Sequence, residues 1–375
     1  MILVVGAAHL DIVGEYNSIA ANVIDKPGRI FYSVGGSAYN IAANLAQNGR
    51  KVRFVSILKS DSLVTPIILS RLESYNIATD LVQVRDDVVE SGFIAQRQEG
   101  VLVSAVASSA ADKLVYPPGQ FDESVRDSTH VIACANCSSA FLDRLSSACR
   151  KYGKKLFVSG VSETKVKKLL SINRSMGAAY PVYCASMNRF EATSIGFDLN
   201  AVSNEYVRDF AGKIGCEVFI VTDESRGYHI FFSTGEYFAM SAPDVAHVAS
   251  PTGAGDALFA AFIDHVIERN SVDVEECHRY VCRYVSEILA REGATVGART
   301  APGELQVVPK TELDMLRKRH IETFGSLVSS PISFLGLKIS FGNLLALIGI
   351  LIASASFVFG HVVDLDSFLS WVGLK

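Results

Sequence analysis

The stretch Pro251-Thr252-Gly253-Ala254-Gly255-Asp256 is followed at once by an apolar run, residues 257–263, which continues at helical spacing through Val266 and Ile267. Small residues allow a tight turn with outward-pointing N–H groups, so the sequence predicts a helix that begins with bare amides and favours an anion. Asp256 falls in the first turn, where the helix dipole favours a carboxylate. An ionised base beside an anion site suits phosphoryl transfer to a hydroxyl. A plain glycine turn with an N-terminal aspartate is the alternative.

Composition narrows the class of protein. The chain has 375 residues, enough for one α/β domain of about 300 residues with an appendage. Charged residues make up 20% and the net charge is −4, so no basic surface indicates nucleic-acid binding. The seven cysteines include one C-x-x-C pair, Cys134 and Cys137, without a second pair to complete a zinc site. We expect buried free thiols in a reducing compartment.

The two ends of the chain differ in kind. Residues 1–6 are apolar without a basic leader, which predicts a buried first strand instead of a signal peptide. Residues 339–363 contain no formally charged side chain, and this length predicts a transmembrane helix, with a buried core helix as the alternative. Basic residues cluster upstream of this segment, which predicts that the preceding part of the chain is cytoplasmic. The predicted division is a domain at 1–310, a juxtamembrane linker at 311–338, the transmembrane helix at 339–363 and a short tail at 364–375.

Short apolar strands alternate with helices along most of the chain. This alternation predicts an α/β fold with a mostly parallel sheet flanked by helices. The predicted strands are Ile2–Val5, Val52–Leu58, Val131–Ala135, Leu156–Val161 and Val218–Thr222, and the predicted helices are residues 41–49, Thr65–Tyr75 and Ala140–Tyr152. Three further strand-like segments, at Ile30–Val34, Gly92–Arg97 and Val101–Val106, predict a small β-sheet lid drawn from about 12–34 and 90–115.

Polar residues recur where the predicted strands end. Asp11 follows the first strand, where it can accept from substrate hydroxyls or cap a turn. The double glycine Gly35-Gly36 precedes a helix and lets a ligand approach the backbone, while Asn40 in the first turn offers a donor and an acceptor for a diol. A helix cap explains Asn40 equally well.

A second polar pair lies farther along. Asn188 and Glu191 are three residues apart at a predicted helix start, where they can hold a hydrated Mg²⁺ or form a capping box. Thr222 ends a strand and leads into the turn 223–227.

The order of these features resembles the ribokinase-like, or PfkB, family of carbohydrate and nucleoside kinases over roughly residues 1–305. The carriers of the resemblance are Asp11, the Gly-Gly-x-x-x-Asn-x-x-x-Asn motif at 35–44, Asn188-x-x-Glu191, Thr222 and the motif at 252–256. Within the family the chain looks most like the pseudouridine kinase branch, on the segments Pro27–Ile30, Asn40–Ala46 and Asn188–Ala192.

The resemblance implies roles for individual residues. Asp256 would be the base, with Gly253, Ala254 and Gly255 as the anion hole. Asp11, Gly35, Gly36 and Asn40 would bind the sugar hydroxyls. Asn188 and Glu191 would position Mg²⁺ and the triphosphate, Glu191 through water. Thr222, Gly227 and Thr252 would lie near the nucleotide phosphates, and the segment Ser286–Ala294, with Gly293, would border the adenine.

The family pattern is broken at three places. Glu224 replaces a glycine near the expected triphosphate, where a carboxylate repels phosphate and a Cβ opposes positive φ. Ser250 stands where many members carry an aspartate that helps to bind a monovalent cation. The strand ending Phe157–Gly160 carries no charge, whereas relatives often end this strand with Asp-Pro.

The resemblance therefore implies a PfkB-type kinase that uses ATP and Mg²⁺ to phosphorylate a sugar hydroxyl of a ribose-type substrate, most plausibly a nucleoside such as pseudouridine, at the cytoplasmic face of a membrane. The alternative is a kinase-fold protein of little or no activity that senses a nucleoside or sugar from the membrane. Lid sheets with exposed edges favour a homodimer.

Overall fold

The computed structural model describes residues 1–17, 25–115, 118–172, 180–245, 248, 252–290, 331–334 and 337–340. The chain divides into two compact units, Met1–Arg299 and Thr300–Lys375. The first unit carries both predicted sheets. The second contributes one described hairpin.

A nine-stranded sheet forms the centre of the first unit, with the strand order β13-β12-β11-β10-β9-β8-β1-β4-β5. The seven neighbouring strands from β11 to β5 in this order are all parallel; β12 pairs antiparallel with β11, and β13 pairs antiparallel with β12. The predicted, mostly parallel sheet is confirmed. The strands are β1 Ile2–Val5, β4 Val52–Lys59, β5 Ala78–Arg85, β8 His130–Cys134, β9 Lys155–Ser159, β10 Val182–Asn188, β11 Cys216–Thr222, β12 Tyr228–Phe232 and β13 Tyr237–Met240.

Helices cover both faces of this sheet, because its buried strands are apolar on both sides. Ile2 and Val4 point to the face covered by α1, α2, α7 and α8, and Leu3 and Val5 point to the face covered by α3, α4, α5 and α6. The helices are α1 Ser37–Gln47, α2 Val64–Ser74, α3 Pro118–Asp127, α4 Ser139–Lys151, α5 Arg189–Ser194, α6 Asn204–Ile214, α7 Ala254–Arg269 and α8 Val274–Leu289.

A separate four-stranded sheet, here called the lid sheet, has the strand order β3-β2-β6-β7. Two of its strands, β6 and β7, form an antiparallel hairpin whose turn residues Glu99 and Gly100 both have positive φ, as a type I′ turn requires. The lid strands are β2 His9–Tyr16, β3 Arg29–Gly35, β6 Gly92–Gln98 and β7 Val101–Ser108.

The lid sheet begins earlier than the predicted boundary at residue 12. Asp11 lies inside β2, so it belongs to the lid sheet and not to the end of β1. The reason is the turn at Gly6, whose φ is 155° and which lets the chain leave the central sheet directly after β1. A Cβ at Gly6 would lie 2.7 Å from the Cβ of Ala38, so α1 also packs against this turn.

In the second unit, Pro331–Phe334 (β14) and Leu337–Ser340 (β15) pair as an antiparallel hairpin. The first two residues of the predicted helix 339–363 therefore lie in a strand, where backbone pairing replaces helical hydrogen bonds, and 341–363 lie outside the described residues. Among the described residues no helix has the length and apolar character needed to span a bilayer.

The cysteine prediction holds for six of the seven side chains, which are free and buried, while Cys282 is half-buried. Cys134 ends β8 beneath the site described next, and burial raises the pKa of its thiol. Within the described part of the chain, no group of three His, Cys, Asp or Glu side chains is arranged to hold a metal ion.

Candidate functional site

Two helix N-termini without side-chain caps supply the frame of the site. Gly36 is the N-cap of α1 with φ 101°, and Gly253 is the N-cap of α7 with φ 82°. Neither glycine can offer a side-chain oxygen to the first-turn N–H groups, which therefore remain available to a ligand. A Cβ at Gly255 would meet nothing within 4 Å, so the first turn of α7 faces open space. These features fit an anion against α7.

Asn40 and Asp256 join the two helices at their first turns. Asn40 Nδ2 donates to Asp256 Oδ2 at 2.8 Å. Burial raises the pKa of Asp256, and hydrogen bonds from Asn40 and Ser37 oppose the rise. A higher pKa makes the carboxylate a better proton acceptor, which suits a general base.

The side-chain oxygen of Asn40 is a buried acceptor without a hydrogen-bond donor among the described residues. Asn40 is 5% exposed. A buried acceptor without a partner is costly, so the site favours a ligand that donates a hydrogen bond there. A sugar hydroxyl has this property.

Asp11 reaches the same region from the lid sheet. His9 Nδ1 lies 2.6 Å from Asp11 Oδ1. A Cβ at Gly35 would lie 2.2 Å from Asp11 Oδ2, so only glycine leaves room for this carboxylate. The structure thus brings together two pairs of predicted residues, Asn40 with Asp256 and Gly35 with Asp11.

Thr252 connects the glycine turn to the lid sheet. Arg97 Nη2, on β6, donates to Thr252 Oγ1 at 2.6 Å. This contact joins residues 155 positions apart in sequence and places a guanidinium beside the turn that is predicted to bind an anion. A cation here favours a phosphate against α7.

Asn188 and Glu191 form the capping box that the sequence allowed. Glu191 N donates to Asn188 Oδ1 at 2.9 Å, and Asn188 N donates to Glu191 Oε2 at 3.0 Å. Burial raises the pKa of Glu191 to about 7, and the charges of Asp256 and Glu163 add to the rise. A carboxylate held against other carboxylates gains most from a cation, so the capping box and a Mg²⁺ site are compatible at Glu191.

We expect the pH dependence of stability to change in Glu191→Gln. The folded-state pKa of Glu191 lies above the unfolded value of 4.5, so the native state binds the extra proton between about pH 4.5 and pH 7. Its contribution is fully present below that window and is lost as the pH rises through about 7. Melting temperatures measured from pH 5 to 8 without divalent cation should show wild type losing stability relative to Glu191→Gln.

The amide of glutamine still accepts from Asn188 N, so the variant keeps the capping box. Exposed Glu275, 89% accessible, supplies the control Glu275→Gln, which should follow the wild-type profile. Parallel profiles for wild type and Glu191→Gln would contradict the raised pKa.

The turn after β11 holds the third group of predicted residues. Asn188 and Thr222 are register partners on the parallel strands β10 and β11, so both lie at the same sheet edge. Asp223 is 5% exposed, and hydrogen bonds from Arg226, at 2.6 and 2.7 Å, hold its pKa below the usual range. The ion pair closes the turn toward Gly227.

The sequence predicts that the Cβ of Glu224 opposes positive φ, and the structure differs. Its φ is 54°, so the glycine-like conformation is kept in spite of the Cβ. The left-handed region costs a non-glycine residue roughly 1 kcal/mol, which the Asp223–Arg226 pair around it can offset. The Glu224 side chain is exposed, so its carboxylate can turn toward solvent.

Among the described residues, no hydrogen bond links Ser286 to the glycine turn at 252–256. Its hydroxyl donates to Cys282 O, one turn earlier in α8, at 2.7 Å. The predicted adenine segment beyond it, including Gly293 and Ala294, lies outside the described residues, as does Ser250. The adenine role of Ser286 stays a prediction.

Three residues of the site were missing from the sequence prediction: His9, Ser37 and Arg97. Ser37 adjoins the double glycine, and His9 alternates with Asp11 along β2, so both had a local signal. Arg97 had none, because its partner lies in a distant part of the chain.

Comparison with known proteins adds two sequence findings. A family model described as pfkB family carbohydrate kinase matches residues 1–301. A guanosine-inosine kinase from Exiguobacterium acetylicum is 27% identical over 297 residues, which cover 77% of this chain and 94% of that protein.

Solved structures agree with this fold. Ribokinase from Arabidopsis thaliana, complexed with ribose and ATP, matches with a TM-score of 0.66 at 20% identity, over 84% of this chain and 98% of that one. Adenosine kinase from Sinorhizobium meliloti matches with a TM-score of 0.59 at 16% identity, over 78% and 95% of the two chains. These likenesses establish a ribokinase-like architecture.

Proposed function

We propose, from the premise that the chain belongs to the pfkB family of carbohydrate kinases and is an ATP-dependent kinase of a sugar or nucleoside, that its substrate is a nucleoside phosphorylated on a ribose hydroxyl. The observation that carries the proposal is the Asn40–Asp256 pair between two uncapped helix N-termini. It offers a base, a hydroxyl-binding amide and an anion site in one place.

The reaction follows from this arrangement. Asp256 accepts the proton of the attacking hydroxyl, while Asn40 Oδ1 accepts a hydrogen bond from a neighbouring hydroxyl. The first-turn N–H groups of α7 stabilise charge on the transferring phosphate, and Arg97 adds a positive charge beside it. The space at Gly255 leaves room for that phosphate. No covalent enzyme intermediate is required.

We further propose Mg²⁺ as the metal of the reaction. Mg²⁺ would supply positive charge that offsets the negative charge of the phosphate groups during transfer. Its binding often relies on one or two carboxylates plus waters and phosphates, so Glu191 suits it without a protein cage. Asn188 holds the Glu191 carboxylate in place through its backbone N–H.

A nucleoside is favoured over a free sugar by two observations. The guanosine-inosine kinase is a relative at 27% identity over most of both chains. In addition, Phe93 shares the Asp11 face of the lid sheet, because the two are register partners, and its ring centroid lies 6.2 Å from that of His9. An aromatic face above the sugar site suits a flat base. The segments at 27–30, 40–46 and 188–192 support pseudouridine as one member of the class.

A substrate panel tests the proposal. Purified protein with Mg-ATP is given guanosine, inosine, adenosine, pseudouridine, uridine and free ribose, and ADP release is measured. We expect turnover with at least one nucleoside and a higher kcat/KM than for ribose. A higher kcat/KM for free ribose than for every nucleoside would contradict a nucleoside kinase. So would the absence of turnover with all six compounds.

Two features of the assembly remain proposals. We propose that the uncharged segment 339–363 is a membrane anchor that holds the kinase unit on the cytoplasmic side. Release of the protein from a membrane pellet by high salt alone would contradict this anchor.

We also propose a homodimer that forms through the outer face of the lid sheet. This face is apolar and exposed: Tyr32, Ile94 and Val106 are 64%, 58% and 72% accessible to solvent. A monomer at all concentrations in sedimentation would contradict the dimer.

A further inference from the structure

We infer, on the basis of the proposed function, that Asn44 and Tyr284 are positioning residues, which hold Asn40 in place for phosphoryl transfer. Asn44 closes the motif at 35–44 and has no role in the site described so far. With Asn40 and Asn48 it forms a row of three asparagines at intervals of four residues, from the first turn of α1 to its C-cap, here called the asparagine row. Residues four apart lie on one face of a helix, so the row faces one set of neighbours.

The two ends of the asparagine row contact aspartates of α7. Asn40 Nδ2 donates to Asp256 Oδ2 at 2.8 Å, and Asn48 Nδ2 donates to Asp264 Oδ2 at 3.1 Å. Each pair is separated by 216 positions, so α1 and α7 run in the same direction and keep one register between the two pairs. Eight residues of helix span about 12 Å. One pair therefore lies in the site, and the other lies two turns below it.

Asn44 lies between the two pairs and connects α8 to the backbone of Asn40. It is fully buried, and its Nδ2 donates to Asn40 O at 2.8 Å. Tyr284 Oη, on α8, donates toward Asn44 Oδ1 and Asn44 O, both at 3.1 Å. Loss of either partner would leave a buried polar group unsatisfied, which favours this one arrangement. Hydrogen bonds therefore run from α8 through Asn44 and Asn40 to Asp256.

The lower end of the asparagine row is fixed by a charged contact. Asp264 is 5% exposed, and its carboxylate accepts from Tyr280 Oη and Arg50 Nε as well as from the row. Tyr280 lies four residues before Tyr284, so one face of α8 contacts the row at two places. The lower contacts hold the three helices together two turns below the site, whereas Tyr284 acts one turn below it.

Both ends of the Asn40 amide have a task in the proposed reaction. Its Nδ2 donates to Asp256, and its Oδ1, which has no partner among the described residues, is available to a substrate hydroxyl. Misplacing such a group by about 1 Å can lower a rate about 100-fold. Without the Tyr284 hydroxyl, α1 can shift at this turn, and the shift should disturb the alignment of the reacting groups more than substrate affinity.

Tyr284→Phe removes one hydroxyl and keeps the ring. We expect kcat to fall about 10- to 100-fold while KM for the accepted substrate changes less than about threefold. Tyr280→Phe makes the same chemical change one turn away and leaves Asp264 with Arg50 and Asn48, so its kcat should stay close to that of wild type. Melting temperatures show whether each variant is folded.

A double-mutant cycle shows whether Tyr284 acts through Asn40. If it does, Tyr284→Phe should have no further effect on kcat in an Asn40→Ala background, because the group that it positions is gone. A purely structural role would give the same fold-loss in both backgrounds. Asn44→Ala should reproduce the kcat loss of Tyr284→Phe, and the two changes together should lower kcat no more than the larger single loss. If Tyr284→Phe does not fold, the cycle is run with Asn44→Ala.

The outcomes separate this inference from the proposed substrate. Wild-type kcat in folded Tyr284→Phe, or equal fold-losses in the two backgrounds, would overturn the positioning role and leave the kinase assignment intact. The cycle uses whichever compound of the panel is turned over, so a preference for free ribose would contradict the nucleoside proposal alone. If wild type turns over none of the panel, the proposed substrate class and the positioning role both fail.

Discussion

Asp256→Asn is expected to lower kcat about 10²- to 10⁴-fold, the range that a general base contributes, with a small change in KM. The amide oxygen of asparagine can still accept from Asn40, so the geometry of the pair should persist. Loss of the proton acceptor then acts on the transition state alone. The measurement is ADP release under saturating nucleoside and Mg-ATP.

The melting temperature of Asp256→Asn should show whether the loss of kcat comes from the missing base or from unfolding. Because burial raises the pKa of Asp256, the ionised carboxylate is disfavoured in the folded state, and a neutral amide should melt at the same temperature or higher. Glu205→Gln is the matched control, since it also removes a first-turn carboxylate, in α6, and should be fully active. Wild-type turnover in Asp256→Asn would show that another group is the base.

The second large effect is on stability. Gly227→Ala is expected to reduce the free energy of unfolding by about 3 kcal/mol or more. Gly227 has φ 107° and ψ −132°, a conformation open to glycine, and an added Cβ would lie 2.0 Å from Met240 O and 2.6 Å from Ala242 N. Both neighbours are backbone atoms, so the turn must open. Urea unfolding gives the measurement.

Gly212→Ala provides the opposite result from the same chemical change. Gly212 lies inside α6, and a Cβ there would meet nothing within 4 Å. Helix propensity predicts a gain of about 0.5–1 kcal/mol. Equal stability of the two variants would mean that Gly227 is retained for the nucleotide and not for the turn.

Local patterns in the sequence were sufficient for much of the fold. The glycine turn and apolar run predicted α7 and its bare N-terminus, and the alternation of apolar segments predicted the parallel sheet. Asn188 and Glu191 were predicted as a pair in either of two roles, and the capping box is present. These features depend on residues within a few positions of each other.

The incorrect or missing predictions have a physical cause. Leu10 and Ile12 alternate with His9 and Asp11, but the apolar Val13 then breaks the alternation, so β2 was missed. Contact between Arg97 and Thr252 crosses 155 residues, and no spacing rule reaches that far. Glu224 was expected to oppose positive φ, yet the ion pair beside it holds the backbone there.

The Asn40–Asp256 hydrogen bond joins residues 216 positions apart, near opposite ends of the family-matched segment. Closing so long a loop costs more conformational entropy than closing a short one, and domains with many nonlocal contacts fold slowly. During synthesis, α7 leaves the ribosome after all nine strands of the central sheet. The proposed phosphoryl-transfer site is therefore complete only after α7 has been synthesised and packed against α1, so we expect activity to coincide with completion of the domain.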